Sequence, residues 1–85
     1  MDENQKQKLI EGIRTFGAYE DDLHGLDLSY ADLRGSDLGR VDFRGTDLRG
    51  ANLRGATLRG ANLCGANLTG TNLDLTTRLG GQEAG

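Results

Sequence analysis

Residues 51–70 read ANLRGATLRGANLCGANLTG, in which one five-residue word recurs four times: a small residue, Asn or Thr, Leu, a variable residue, Gly. A period of five fits no straight element. On a helix five residues advance by roughly 500°, so successive leucines scatter around the cylinder. On an uninterrupted strand side chains alternate with period two, so each leucine faces away from the last. The chain must therefore turn once in every repeat. Glycine supplies the means, because the third residue of a type II turn needs a positive φ that glycine takes without steric cost. Leu53-Arg54-Gly55-Ala56 reads as such a turn. Ala51 and Leu53 then lie on one short extended side and face inward, while Asn52 between them faces out.

Working outward from this stretch, the leucine position holds Leu23, Leu28, Leu33, Leu38, Phe43, Leu48, Leu53, Leu58, Leu63, Leu68 and Leu73. The expected inward core is Leu28 through Leu73 in that column. After Leu75 the phase is lost, since Arg78 stands where the next leucine belongs. Before the repeats, Leu9, Ile10, Ile13 and Phe16 follow helical spacing and make one apolar stripe, and Gly17 is a stop signal. The expected organisation is a capping helix within 1–18, a repeat region over 19–76 and a frayed tail over 77–85.

The units ADLRG, TDLRG, ANLRG, ANLCG and ANLTG resemble those of the pentapeptide-repeat family, and about eleven of them cover roughly two thirds of the chain. The resemblance implies an all-β fold: a short right-handed quadrilateral β-helix with four repeats per coil, residues n and n+20 stacked, and just under three coils. The helix would close its N-terminal end. At ~4.8 Å per coil the column is only ~13 Å tall.

On that frame Asp22, Asp27, Asp32 and Asp37 make an acidic ring, and Arg44, Arg49, Arg54 and Arg59 make a basic ring in the next coil. The offset of one coil plus two residues predicts the inter-coil pairs Asp22–Arg44, Asp27–Arg49, Asp32–Arg54 and Asp37–Arg59. The arginines are also a candidate belt for a protein partner. Toward the C-terminus Asn62, Asn67 and Asn72 replace aspartate. An uncovered β edge invites another chain, so Asn62, Asn67, Asn72, Leu73 and Leu75 mark a candidate self-association end, giving a homodimer. Alternatively, Thr76 to Leu79 folds over that end.

Chemistry is sparse in this sequence. Cys64 and His24 are the only residues of their types, which excludes an intrachain disulfide and the common zinc sites. Stacking puts them two coils apart, about 10 Å, beyond hydrogen-bond reach for a nucleophile and its base. Single carboxylates facing arginines lack the converging oxygens that calcium needs. No catalytic residue, metal site or cofactor is expected, and the chain is not expected to be an enzyme. The Arg-Gly pairs are similar to disordered RNA-binding segments, but those do not keep leucine in phase, so no direct nucleic-acid binding is expected. The N-terminus lacks an apolar signal region and no stretch has the length of a membrane span, so a cytoplasmic location is expected.

The function expected is a non-catalytic structural or protein-interaction module. Some members of the family imitate DNA and bind type II topoisomerases, which is the alternative. Over ~13 Å a duplex presents about eight phosphates, whereas the repeat region sets eight aspartates against six arginines. That near balance argues against mimicry.

Overall fold

The computed structural model describes residues 1–73. Leu75 and the Thr76–Leu79 stretch lie outside the described residues. The single helix among them, α1, spans Glu3–Phe16. Asp2 starts it with a capping box: the Gln5 N–H donates to the Asp2 carboxylate (2.8 Å) and the Asp2 N–H to the Gln5 side chain (2.9 Å). Gly17, at φ 80°, ends it, its N–H donating to the Ile13 carbonyl. Ile10 and Ile13 are buried against the first coil and Leu9 is half-buried. Phe16 departs from the expected stripe, being 88% exposed. It is the last helical residue, and beyond it the backbone of Gly17, not a side chain, closes against Asp37: a Cβ on Gly17 would stand 3.1 Å from the Asp37 Cβ. Two cations also tie α1 down, Lys6 to Asp27 (3.4 Å) and Arg14 to Asp32 (3.3 Å). No helix of the described residues is long and apolar enough to cross a membrane.

From Ala18 onward the chain turns every five residues. The outward residues pair in parallel with those twenty positions on: Asp22 with Asp42 and Asp42 with Asn62, Asp27 with Asp47 and Asp47 with Asn67, Asp32 with Asn52 and Asn52 with Asn72, and Asp37 with Thr57. Four such columns make a four-sided coil. From Leu23 to Leu53 each leucine-position N–H donates to the next coil, as Leu28 does to the Asp47 carbonyl (2.8 Å) and Leu53 to Asn72 (2.9 Å). The ladder begins at Ala18, inside the stretch read as the cap, whose N–H donates to the Asp37 carbonyl. At each corner the N–H three residues on closes the turn, as Ala56 does onto the Leu53 carbonyl (3.0 Å), with Gly55 at φ 73°. Glu20, Tyr30 and Arg40 occupy the glycine position of their corners at φ 57–64°. A left-handed residue with a Cβ costs roughly 1–2 kcal/mol, which the surrounding ladder must offset.

Leu28, Leu33, Leu38, Phe43, Leu48, Leu53 and Leu58 are buried as expected. The expectation fails toward the C-terminal end: Leu63 and Leu68 are only half-buried and Leu73 is 47% exposed. The reason is geometric, since a coil covers its neighbour's leucines and no described coil lies over the last one. The small inward position carries its own hydrogen bond. The Thr46 hydroxyl donates to the Leu23 carbonyl and that of Thr71 to Leu48, each twenty-three residues back. Ser36 sits in the same place, 2% exposed, its hydroxyl without a partner among the described residues. Twenty-three residues before it is Ile13, in α1, whose carbonyl already accepts the Gly17 N–H.

Candidate functional site

The outward Asp/Asn position faces solvent but is tied to its own corner. Its side-chain oxygen accepts the N–H two residues on: Arg44 to Asp42 (3.0 Å), Arg49 to Asp47 (3.1 Å), Arg54 to Asn52 (3.2 Å), Cys64 to Asn62 (3.0 Å) and Thr69 to Asn67 (3.1 Å). This is the Asx turn, in which a short side chain substitutes for backbone. Asn serves as well as Asp because only one oxygen is used. Thr57 is the exception, with no such bond to the Arg59 N–H among the described residues.

The expected inter-coil ion pairs are not what forms. Arg44 forks onto Asp42 (2.6 Å), Arg49 onto Asp47 (2.7 Å) and Arg34 onto Asp32 (2.8 Å), all within one repeat. Asp22 instead holds His24, Asp27 holds Lys6, Asp32 is shared by Arg34 and Arg14, and Asp37 has no cation partner among the described residues. The Asx turn explains this. It directs the carboxylate at the same corner from which the arginine departs, so the fork at i+2 needs little extra ordering, whereas the diagonal must span a coil. Only a through-space attraction remains from Asp22 to Arg44 and from Asp27 to Arg49. The side-chain hydrogen bonds from Arg34 and Arg44 are the main cause of the Asp32 and Asp42 carboxyls lying at about 2. Asp27 also lies at about 2, held by the Ser29 hydroxyl and N–H first and by Lys6 after them.

The candidate arginine belt therefore divides. Arg44 and Arg49 are neutralised in place, while Arg54 and Arg59 have no ion pair among the described residues because Asn52 and Thr57 supply no carboxylate. The register sets His24 and Cys64 two coils apart, and ligand atoms of Asp22, His24 and Asp42 lie within 4.8 Å of one another. These three are already engaged, His24 with Asp22 and both Asp42 oxygens with Arg44. Cys64 is a free, exposed thiol.

Among the described residues, concave features lie beside α1, one of them a shallow hollow by Glu11, Arg14, Thr15 and Arg34, and on a corner of the coil. A groove of about 490 Å³ runs between α1 and the first coil, and its cations Lys6 and Arg14 are held by Asp27 and Asp32. On the fourth corner lies a cleft of about 210 Å³, between Tyr19, Asp37, Gly39, Arg40, Thr57 and Arg59. Gly39 makes the room. The corner column runs Tyr19, Gly39, Arg59, and the missing side chain lets the Tyr19 ring lie over the Gly39 backbone, where a Cβ would meet it at 2.9 Å. In the adjacent column the Arg40 stem lies against Gly60 in the same way (3.1 Å). Arg40 reaches back to Glu20 (3.4 Å), and the Tyr19 hydroxyl, then Glu20, raise its pKa further. Spacing alone gave no signal of this cleft; the signal was the pair of departures from the D-x-R word, Asp37-x-Gly39 and Thr57-x-Arg59.

A family model of pentapeptide repeats, in eight copies, matches residues 22–60 and 42–77. The chain belongs to the pentapeptide-repeat family. Among solved structures it is similar to a pentapeptide repeat protein from the cyanobacterium Cyanothece 51142, with 30% identity over 72% of this chain and a TM-score of 0.34. It spans 55% of that protein's length. It is also similar to a pentapeptide repeat protein from Nostoc Pcc 7120, with 26% identity over 96% of this chain and 88% of the other and a TM-score of 0.38. No match was found among curated protein sequences.

The pentapeptide ladder has two unlike ends. Under the first coil lies α1. At the other end, the N–H groups of Leu63, Gly65, Leu68 and Gly70 have no backbone acceptor among the described residues. One coil earlier, those of Phe43, Gly45, Leu48 and Gly50 donate to the carbonyls of Asn62, Cys64, Asn67 and Thr69. Asn62, Asn67 and Asn72 line this end, exposed, with Leu73 beside them.

Proposed function

We propose that this chain, as a short right-handed quadrilateral β-helix, is a non-catalytic structural and protein-interaction module that self-associates through its C-terminal coil. The observation that carries the reading is the open edge: N–H groups without a backbone acceptor among the described residues, beside half-buried Leu63 and Leu68, on a rim of uncharged asparagines. A sheet edge of this kind is a template for another chain, and neutral asparagine removes the like-charge repulsion that aspartate would impose on a second copy. Catalysis is disfavoured because His24 is held by Asp22 and stacks two coils away from the free Cys64 thiol. Imitation of DNA finds no support either, since Asp32, Asp42 and Asp47 are each neutralised by an arginine of their own repeat. A reducing, cytoplasmic setting belongs to the same reading, in keeping with an exposed free thiol.

Size-exclusion chromatography with light scattering over a range of concentrations tests the self-association. The expected result is a concentration-dependent dimer that Leu68→Lys returns to monomer without changing the circular dichroism spectrum. A chain that stays monomeric at the highest concentration reached overturns it.

A further inference from the structure

The word D-x-R pairs an aspartate with an arginine two residues on, and it is broken twice on the fourth side of the coil. In the first coil Asp37 is followed by Gly39, so the acid has no arginine. In the second coil Thr57 is followed by Arg59, so the arginine has no acid. The two broken words stack directly, Asp37 pairing with Thr57 across the coils. Among the described residues a carboxylate and a guanidinium, neither in an ion pair, are thus left on one cleft, and the Tyr19 ring occupies the space over Gly39 beside the Asp37 carboxylate.

We propose that this cleft receives the C-terminal residue of a partner polypeptide, a proposal that rests on reading the chain as an interaction module. The α-carboxylate is the group that a free guanidinium recognises best, through two parallel N–H···O bonds from Arg59. The neighbouring backbone N–H of the same residue donates to the Asp37 carboxylate, whose one oxygen already accepts the Gly39 N–H (3.1 Å). The Thr57 hydroxyl, unused by its own turn, is a further donor, and the face of Tyr19 covers the side chain. A purely anionic ligand would leave Asp37 repelling it; a carboxylate with an adjacent N–H satisfies both charges. The volume, about 210 Å³, suits one residue, being smaller than the roughly 300–1,000 Å³ of sites for drug-sized ligands. Capture of a chain terminus is a recurring mode of peptide recognition.

The test is an amide NMR titration of the full chain with a randomised pentapeptide pool bearing a free C-terminal carboxylate, the same pool amidated, and free glycine. The expected result is saturable shifts centred on the Gly39, Arg40 and Gly60 amides, weakened at least ~10-fold by amidation and by Arg59→Gln, a loss in keeping with one charged contact. Thr57→Asp, which completes the D-x-R word and draws Arg59 away, weakens binding too while keeping the fold. Arg54→Gln, on another corner, leaves it unchanged. Equal shifts from the amidated pool, an undiminished response in Arg59→Gln, or no response at all overturns the proposal. Glycine binding as tightly as the peptides overturns the polypeptide assignment in favour of a free amino acid. The two readings fail separately: peptide binding by a strictly monomeric chain removes only the self-association, and a dimer blind to peptides removes only the cleft.

Discussion

Thr57 offers a clean measure of what the outward Asp/Asn position contributes. Its neighbour on the same coil, Asn52, accepts the Arg54 N–H at 3.2 Å, while the Arg59 N–H has no such acceptor among the described residues. Net, one such bond contributes about 0.5–1.5 kcal/mol, and a half-exposed corner belongs at the lower end because water can replace the lost partner. Asn52→Ala should therefore cost about 0.5–1 kcal/mol. Thr57→Asn should gain a similar bond, offset in part by losing the β-branched residue's preference for extended backbone on a scale spanning ~1 kcal/mol. The expected net gain is about 0.5 kcal/mol. Thr57→Ala, which removes no bond, should lose only the β preference and fall between the two. For a domain of this size 1 kcal/mol moves the melting temperature by about 4–8 °C, so thermal unfolding followed by circular dichroism, checked by urea titration, resolves the series. If Asn52→Ala melts with the parent while Thr57→Asn melts below it, the outward side chain is not a structural part of the turn and the account of the broken words fails with it.

Three further outcomes follow from the same geometry. Ser36→Ala should raise stability by about 1 kcal/mol, because it removes a buried hydroxyl that lacks a partner; a drop in the urea midpoint would mean that the hydroxyl is satisfied. Leu48→Ala, in the fully buried middle coil, should cost about 2–5 kcal/mol, and Leu68→Ala, half-buried at the end coil, less than half of that; equal losses in a denaturant titration would contradict an open C-terminal end. In acid the sign is set by the carboxyls of Asp32 and Asp42, held at about 2 by Arg34 and Arg44. Groups with depressed folded pKa contribute fully above the usual carboxylate range near 4 and lose that contribution as pH falls to about 2. The urea midpoint should thus fall across that window, less so in high salt, and a midpoint flat from neutrality to about pH 2 would show these forks to be inert.

The fold was legible because its signal is long: the leucine column excludes helix and strand, and glycine at most of the fifth positions supplies the turn. Two local features escaped for a physical reason. Periodicity describes what a residue shares with its column, so Phe16 was placed on the helical stripe although the chain leaves the helix there. It also drew the ion pairs along the stacking direction, Asp22 to Arg44 and onward, when the shorter path lay within the repeat. The i+2 geometry of an Asx turn could have been read from ADLRG itself, since the acid and the arginine are two apart and the corner brings them together. The cleft around Gly39 was harder to see, because it arises from what two repeats lack.

The substitutions along the coil also show how this surface can change without the ladder changing. An outward aspartate does two separable things: one oxygen holds the corner N–H, and the charge draws an arginine. Asparagine at 52, 62 and 67 keeps the first and drops the second, as the Arg54, Cys64 and Thr69 N–H bonds show. The charge can therefore be removed from the C-terminal coil with the turns intact, and the arginine of the same word, Arg54, is released for contacts beyond its own repeat. Threonine at 57 drops both and exposes Arg59 beside a glycine that leaves space. Surface chemistry in this chain is thus written at the second and fourth letters of each word, while the first and third carry the core, and the second letter can change its charge without giving up its bond to the corner.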